Sequence, residues 1–214
     1  MLSTTLGPIE AKRKSPVHFA GLNHDTRVAI IHCISQLPIR VVAIAINKRE
    51  LNTGHTLQGE RRLHFYASRY LLERISWIAR DRAKPNEGDG KCSLTFSHCK
   101  GLSYSKLGEY FETLKKSNSQ VAWGSLDTEK IKVLGHAQSI WLRAADATAS
   151  GTAQALELSA HGFCEYRYIR MLKPVIYKNG NNYLSYGMKM FPNMPTVQKE
   201  RDNRYEWLSL YRRW

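Results

Sequence analysis

A single acidic side chain stands in the middle of an apolar run. The stretch His136–Glu157, HAQSIWLRAADATASGTAQALE, is built from good helix formers, and Asp146 falls beside Ala145 and one turn after Leu142. A carboxylate among packing residues carries a desolvation cost unless something compensates it. Two readings answer that cost. Asp146 is a metal-binding or catalytic carboxylate, or it caps a loop, pairs with Arg143 or a distant arginine, or faces water. His98 and Cys99 follow CSLTFS directly and are candidate metal ligands, with no second pair at ligand spacing to complete a site. Lys48 stands where the apolar run IRVVAIAIN ends, placed to touch a phosphate or substrate, or simply to reach water. Lys12, Arg13 and Lys14 near the N-terminus, and Arg61, Arg62, Arg69 and Arg74 further on, could contact phosphates; a solvated surface is the alternative.

The elements that position these groups follow from pattern. Val28, Ile31 and Ile34 at helical spacing, with Asp25 in the first turn, predict a helix over His24–Leu37 that Pro38 stops. Ile39–Asn47 is almost wholly apolar and β-branched, which predicts a strand buried on both faces. Glu60–Arg80 reads as a long amphipathic helix, Cys92–Ser97 as a second strand and Ser103–Lys116 as a helix packing through Tyr104, Leu107, Phe111 and Leu114. Gln120–Gly124 is expected to be a short third strand, and Asp127–Leu134 a short helix with Asp127 as its N-cap. In the central helix His136–Glu157, Ala145, Ala149 and Ala153 recur every four residues, a ridge that would let it lie close against a sheet. Phe163–Leu172 is predicted helical, stopped by Pro174. Asn179–Gly180 between β-prone runs predicts a hairpin over VIYKNGNNYLSYGMKMF. Tyr205, Leu208 and Tyr211 have helical spacing in a polar C-terminal extension. It is either docked on its own domain or an arm for a partner chain.

Composition narrows the class. The 214 residues are 43% hydrophobic, enough to bury a sizeable core. No apolar run approaches the ~20 residues that span a bilayer, and the N-terminus lacks a signal-peptide core, so no membrane association is expected. Cys33, Cys92, Cys99 and Cys164 form no CxxC pair, which points to reduced thiols and a cytoplasmic location. Thirty-two Lys and Arg against 18 Asp and Glu leave a net charge of +14, which favours nucleic acid or an acidic protein as partner. P-loop, GxGxxG and GxSxG motifs are absent.

Several stretches, taken in succession, are familiar. VHFAGL at 17–22, a strand ending at Lys48, YASRYLLERISWIARD at 66–81, SHCKGLSYSKLGEYFETL at 97–114, LRAADATAS at 142–150 and LKPVIYK with NYLSYGMKMFP at 172–192 resemble the bacterial and phage "domain of unknown function 3800" family. The resemblance implies an RNase H-like α/β fold, a mixed sheet flanked by helices, over residues 17–192. A basic tail at 1–16 precedes it and a helical extension at 193–214 follows. It implies a metal-dependent nuclease architecture in which acidic residues hold Mg²⁺ or Mn²⁺, with Asp146 at the family's helix position as catalytic and metal residue and Lys48 at its strand-end lysine.

The family opens with a strand ending in Asp-Glu-Ser-Gly, followed by a second apolar strand, and neither stands before VHFAGL here. The expectation is therefore a fold incomplete at its first strands and a nuclease-like protein inactive alone. A second protein chain, or a second copy, would pair beside Ile39–Asn47. The alternative is a non-catalytic nucleic-acid-binding or structural subunit of a larger bacterial or phage complex in defence or mobile elements.

Overall fold

The computed structural model describes residues 18–48, 51, 62–84, 88–191 and 203–211. Helices alternate with short parallel strands, an α/β arrangement. In chain order the elements are α1 (His24–Ser35), β1 (Ala43–Ile46), α2 (Arg62–Arg82), β2 (Cys92–Ser97), α3 (Tyr104–Lys116), β3 (Leu126–Leu134), α4 (Ile140–Leu156), α5 (Arg167–Leu172) and β4 (Met188–Phe191). Short 3-10 segments lie at Phe19–Gly21, Trp123–Ser125, His136–Gln138, Lys173–Val175 and Asn203–Tyr211. The chain forms two compact units. The first is Met1–Ala43, Gly135–Met188 and Asn193–Trp214; the second is Ile44–Leu134 and Lys189–Pro192. No helix among the described residues is long and apolar enough to cross a membrane.

The first unit is helical. Asn23 caps α1 by accepting the Thr26 N–H at 2.9 Å, and the helix buries Ile30, Ile31 and Ile34. Ser139 caps α4, which packs on α1 and α5. Its buried stripe is Ala144, Ala147, Thr148, Gly151, Thr152 and Ala155, not the expected ridge, for Ala145 and Ala149 are exposed. Alanine lies on every side of this helix, so spacing alone does not choose the face. Gly151 favours this face: a Cβ there would come within 3.1 Å of the Tyr168 Cβ on α5, tighter than an ordinary contact, so glycine eases the close approach. The partners of α4 are helices rather than a sheet. Thr148 and Thr152 donate their hydroxyls to the Ala145 and Thr148 carbonyls, so the buried stripe leaves neither hydroxyl unsatisfied. Ile31, Ile34, Ile169 and Leu172 are 0% exposed, each contributing about 1.5–3 kcal/mol of transfer free energy.

Two other expectations in this unit are corrected. α5 begins at Arg167, not Phe163. Gly162 sits at φ +80°, and the Glu165 carboxylate accepts the Arg167 N–H, which starts the helix there. The Asn179–Gly180 turn exists, with Gly180 at φ +57° and Asn179 bridged to Asn182, but its arms do not continue as a hairpin. Ile176 bridges Val41 instead, and β4 pairs with β1. Gly187 fits against Tyr177 so tightly that a Cβ would lie 2.2 Å from the Tyr177 carbonyl oxygen. The C-terminal extension docks on its own unit. Trp207 Nε1 donates to Ala155 O at 3.2 Å and the Tyr211 hydroxyl to Ile169 O at 2.6 Å, with Trp207, Leu208 and Tyr211 buried.

The strand expected over Ile39–Asn47 is shorter, Ala43–Ile46 with a bridge at Val41, and it is half-buried rather than enclosed on both faces. Among the described residues its sheet has two strands, so it is an edge strand and not a central one. Val41, Ala43 and Asn47 donate N–H groups to Val175 O, Gly187 O and Phe191 O, all on one side. Strand alternation turns the N–H groups of Val42, Ile44 and Ile46 to the other edge, where no strand pairs among the described residues.

In the second unit, β2 and β3 run parallel, joined through α3. Leu72, Leu94, Leu107, Phe111, Leu114, Val121 and Leu126 form the core. Gln120–Gly124 is not a strand, and Asp127–Leu134 is strand β3 rather than a helix. The local signal at Asp127 is real: its carboxylate accepts the Lys130 N–H at 3.3 Å, as an N-cap would. That turn is a bulge inside the strand. From Asp127 to Lys132 the chain takes five steps while its partner takes two from Ser93 to Thr95. Pairing with β2 then resumes, so tertiary hydrogen bonding overrides the local helical start.

Candidate functional site

Asp146 lies in the second turn of α4, with its side chain 30% exposed. Its Oδ2 accepts the backbone N–H of Phe19 at 3.0 Å, which compensates part of the desolvation that the sequence implies. The 3-10 segment at Phe19–Gly21 is itself clamped. Arg27 on α1 donates through Nε to Phe19 O at 3.1 Å, through one terminal nitrogen to Ala20 O at 2.6 Å and through the other to Gln154 Oε1 on α4 at 3.0 Å. Phe19 is 3% exposed and meets Tyr168 edge to face at 5.5 Å. These contacts fix the chain just after His18.

His18 then falls beside the carboxylate, its Nδ1 3.9 Å from Asp146 Oδ2. His136 opens the 3-10 segment that leads into α4, and its ring stacks on His18 with centroids 4.6 Å apart and planes at 19°. One ligand atom from each of His18, His136 and Asp146 lies within 4.8 Å of the other two. Asp146 was identifiable in the sequence as a lone carboxylate in an apolar run; the two histidines were not. His136 heads the same stretch without forming a motif with Asp146, and His18 is brought in from the far end of the chain by the Phe19 hydrogen bond.

The donor set decides which ion suits it. Two Mg²⁺ ions require several hard oxygen ligands. Among the described residues the cluster offers one carboxylate and two imidazoles, which do not fit a Mg²⁺ pair.

The other candidates are placed separately. Lys48 is exposed and belongs to the second unit. Lys12, Arg13, Lys14 and Arg61 lie outside the described residues. Arg62 is exposed at the start of α2. Arg69 is committed to Glu73 through Nε at 3.1 Å. Arg74, expected on a solvated face, is 5% exposed. It donates to Glu73 Oε2 at 2.8 Å and to Tyr70 O, and lies over the rings of Tyr70 and Trp77. Burial first, and Arg74 beside it, hold the Lys189 ammonium below its ordinary range. His98 and Cys99 join no metal-ligand cluster among the described residues; the Cys99 N–H is taken by the Tyr104 hydroxyl.

No known family, curated protein or solved structure matches this chain.

Proposed function

We propose that this chain is a nucleic-acid-associated protein of nuclease-like design. The observation that carries the reading is the surplus of positive charge, with many of its side chains exposed. The chain's net charge is +14, and Lys48, Arg62, Lys91, Lys106, Lys116, Lys132 and Lys178 are all exposed. Exposed cations in that excess match a polyanion through phosphate contacts, which bind without reading sequence. The RNase H-like arrangement and a partner strand beside Ile39–Asn47 belong to the same proposal. They rest on the sequence resemblance and, for the strand, on the open edge of β1. Asp146 is the residue in which nuclease chemistry would centre, and with one carboxylate the chain alone is expected not to cleave DNA or RNA with Mg²⁺.

The test is fluorescence anisotropy with a labelled random-sequence oligonucleotide. Affinity is expected to fall by roughly 10³-fold between about 50 and 200 mM salt if six or more phosphates are contacted. A flat salt dependence, or no binding at low salt, would refute the proposal.

A further inference from the structure

We infer that His18, His136 and Asp146 form a mononuclear site for a borderline divalent transition metal, Zn²⁺ being the probe of choice, and not for Mg²⁺. The inference stands apart from nucleic-acid association: it rests on three ligand atoms and does not need the polyanion. Two imidazoles and one carboxylate make an N₂O donor set, which suits Zn²⁺, Fe²⁺, Co²⁺ or Ni²⁺; Mg²⁺ selects oxygen and keeps its water. Three protein ligands also leave positions open for water or substrate, as catalytic rather than purely structural zinc sites do.

The geometry needs a small closure. Zn–N and Zn–O bonds of about 2.0–2.2 Å place tetrahedral ligand atoms roughly 3.4 Å apart. The present separations are 3.9 Å for His18 Nδ1 to Asp146 Oδ2 and within 4.8 Å overall. His18 can supply the movement, because its side chain is 64% exposed. Asp146 does not have to move. The Phe19 N–H already holds Oδ2, and that bond orients the carboxylate as hydrogen-bond donors behind a metal's ligands do. The ion would tie three segments together: the chain entering Phe19–Gly21, the His136–Gln138 turn and α4.

The experiment uses the full chain, stripped of metal by chelator and dialysed. Zn²⁺ and Mg²⁺ are titrated by calorimetry, and Co²⁺ is followed by its visible absorption. Two variants preserve the local structure while deleting a ligand. Asp146→Asn still accepts the Phe19 N–H, and His136→Phe keeps an aromatic ring for the stack. Circular dichroism and apo melting temperatures establish that both remain folded. The expected result is one Zn²⁺ equivalent whose affinity falls at least tenfold in each variant, a Co²⁺ spectrum free of thiolate charge transfer, and no competition from a large excess of Mg²⁺. Zn²⁺ affinity unchanged in both folded variants would assign the binding to other histidines or cysteines and overturn the inference. Displacement of Zn²⁺ by comparable Mg²⁺ would overturn it as well. Salt-dependent oligonucleotide binding by the same metal-free samples reads the proposed function independently, so either idea can fail alone.

Discussion

The Asp146 carboxylate accepts the backbone N–H of Phe19, 127 residues away in sequence, at 3.0 Å. This bond closes the first unit between its N-terminal segment and α4. It also means that Asp146 has a structural duty whether or not an ion is present. Asp146→Ala leaves a buried N–H without its acceptor, at a cost of about 1–3 kcal/mol. Asp146→Asn is expected to lose less than half of that. Urea unfolding of the two variants checks it, and equal losses would show that the hydrogen bond is not what the aspartate contributes.

The buried charges on α2 make a second test. Glu73 is 3% exposed between Arg69 and Arg74. Removing one partner of a buried pair strands the other, so Glu73→Gln is expected to destabilise by about 3–5 kcal/mol. Replacing both at once, Glu73→Gln with Arg74→Met, is expected to recover much of this, because no buried arginine is then left without its carboxylate. A double variant less stable than the single one would show that Arg74 contributes chiefly through its stacking on Tyr70 and Trp77.

Acid sensitivity should trace in part to the start of α5. The hydrogen bond from Arg167 holds the Glu165 carboxyl below its ordinary 4.5. A depressed folded value contributes stability that is present above pH 4.5 and is lost as the pH falls through the folded value. Arg167 is exposed, so solvent screens the pair and its contribution is small. Glu165→Gln is expected to lower the melting temperature slightly at neutral pH and to flatten its fall below pH 4.5. A variant whose acid slope matches the parent would exclude this pair.

Local chemistry was legible wherever an element's own residues settled it. α1, α2, β2 and α3 fall close to where periodicity and start signals put them, because each carries one continuous apolar face bounded by a cap, a proline or a polar turn. The acidic residue at the heart of the site was legible for the same reason: Asp146 conflicts with its apolar neighbours, and that conflict needs no partner to be seen. Asp127 shows the limit. Its N-cap geometry forms as expected, yet the segment is a strand, since ladder bonds to β2 outweigh one turn of helix.

What only the tertiary structure decided depends on distant segments. The buried face of α4 is set by the approach of Tyr168 to Gly151, the partner of β1 by where β4 returns, and the ligand cluster by the Phe19 hydrogen bond that carries His18 to Asp146. Sequence specifies which side chains can pack, pair or ligate. Their meeting is decided by the packing that offsets the entropy of bringing them together, and no local pattern records that balance.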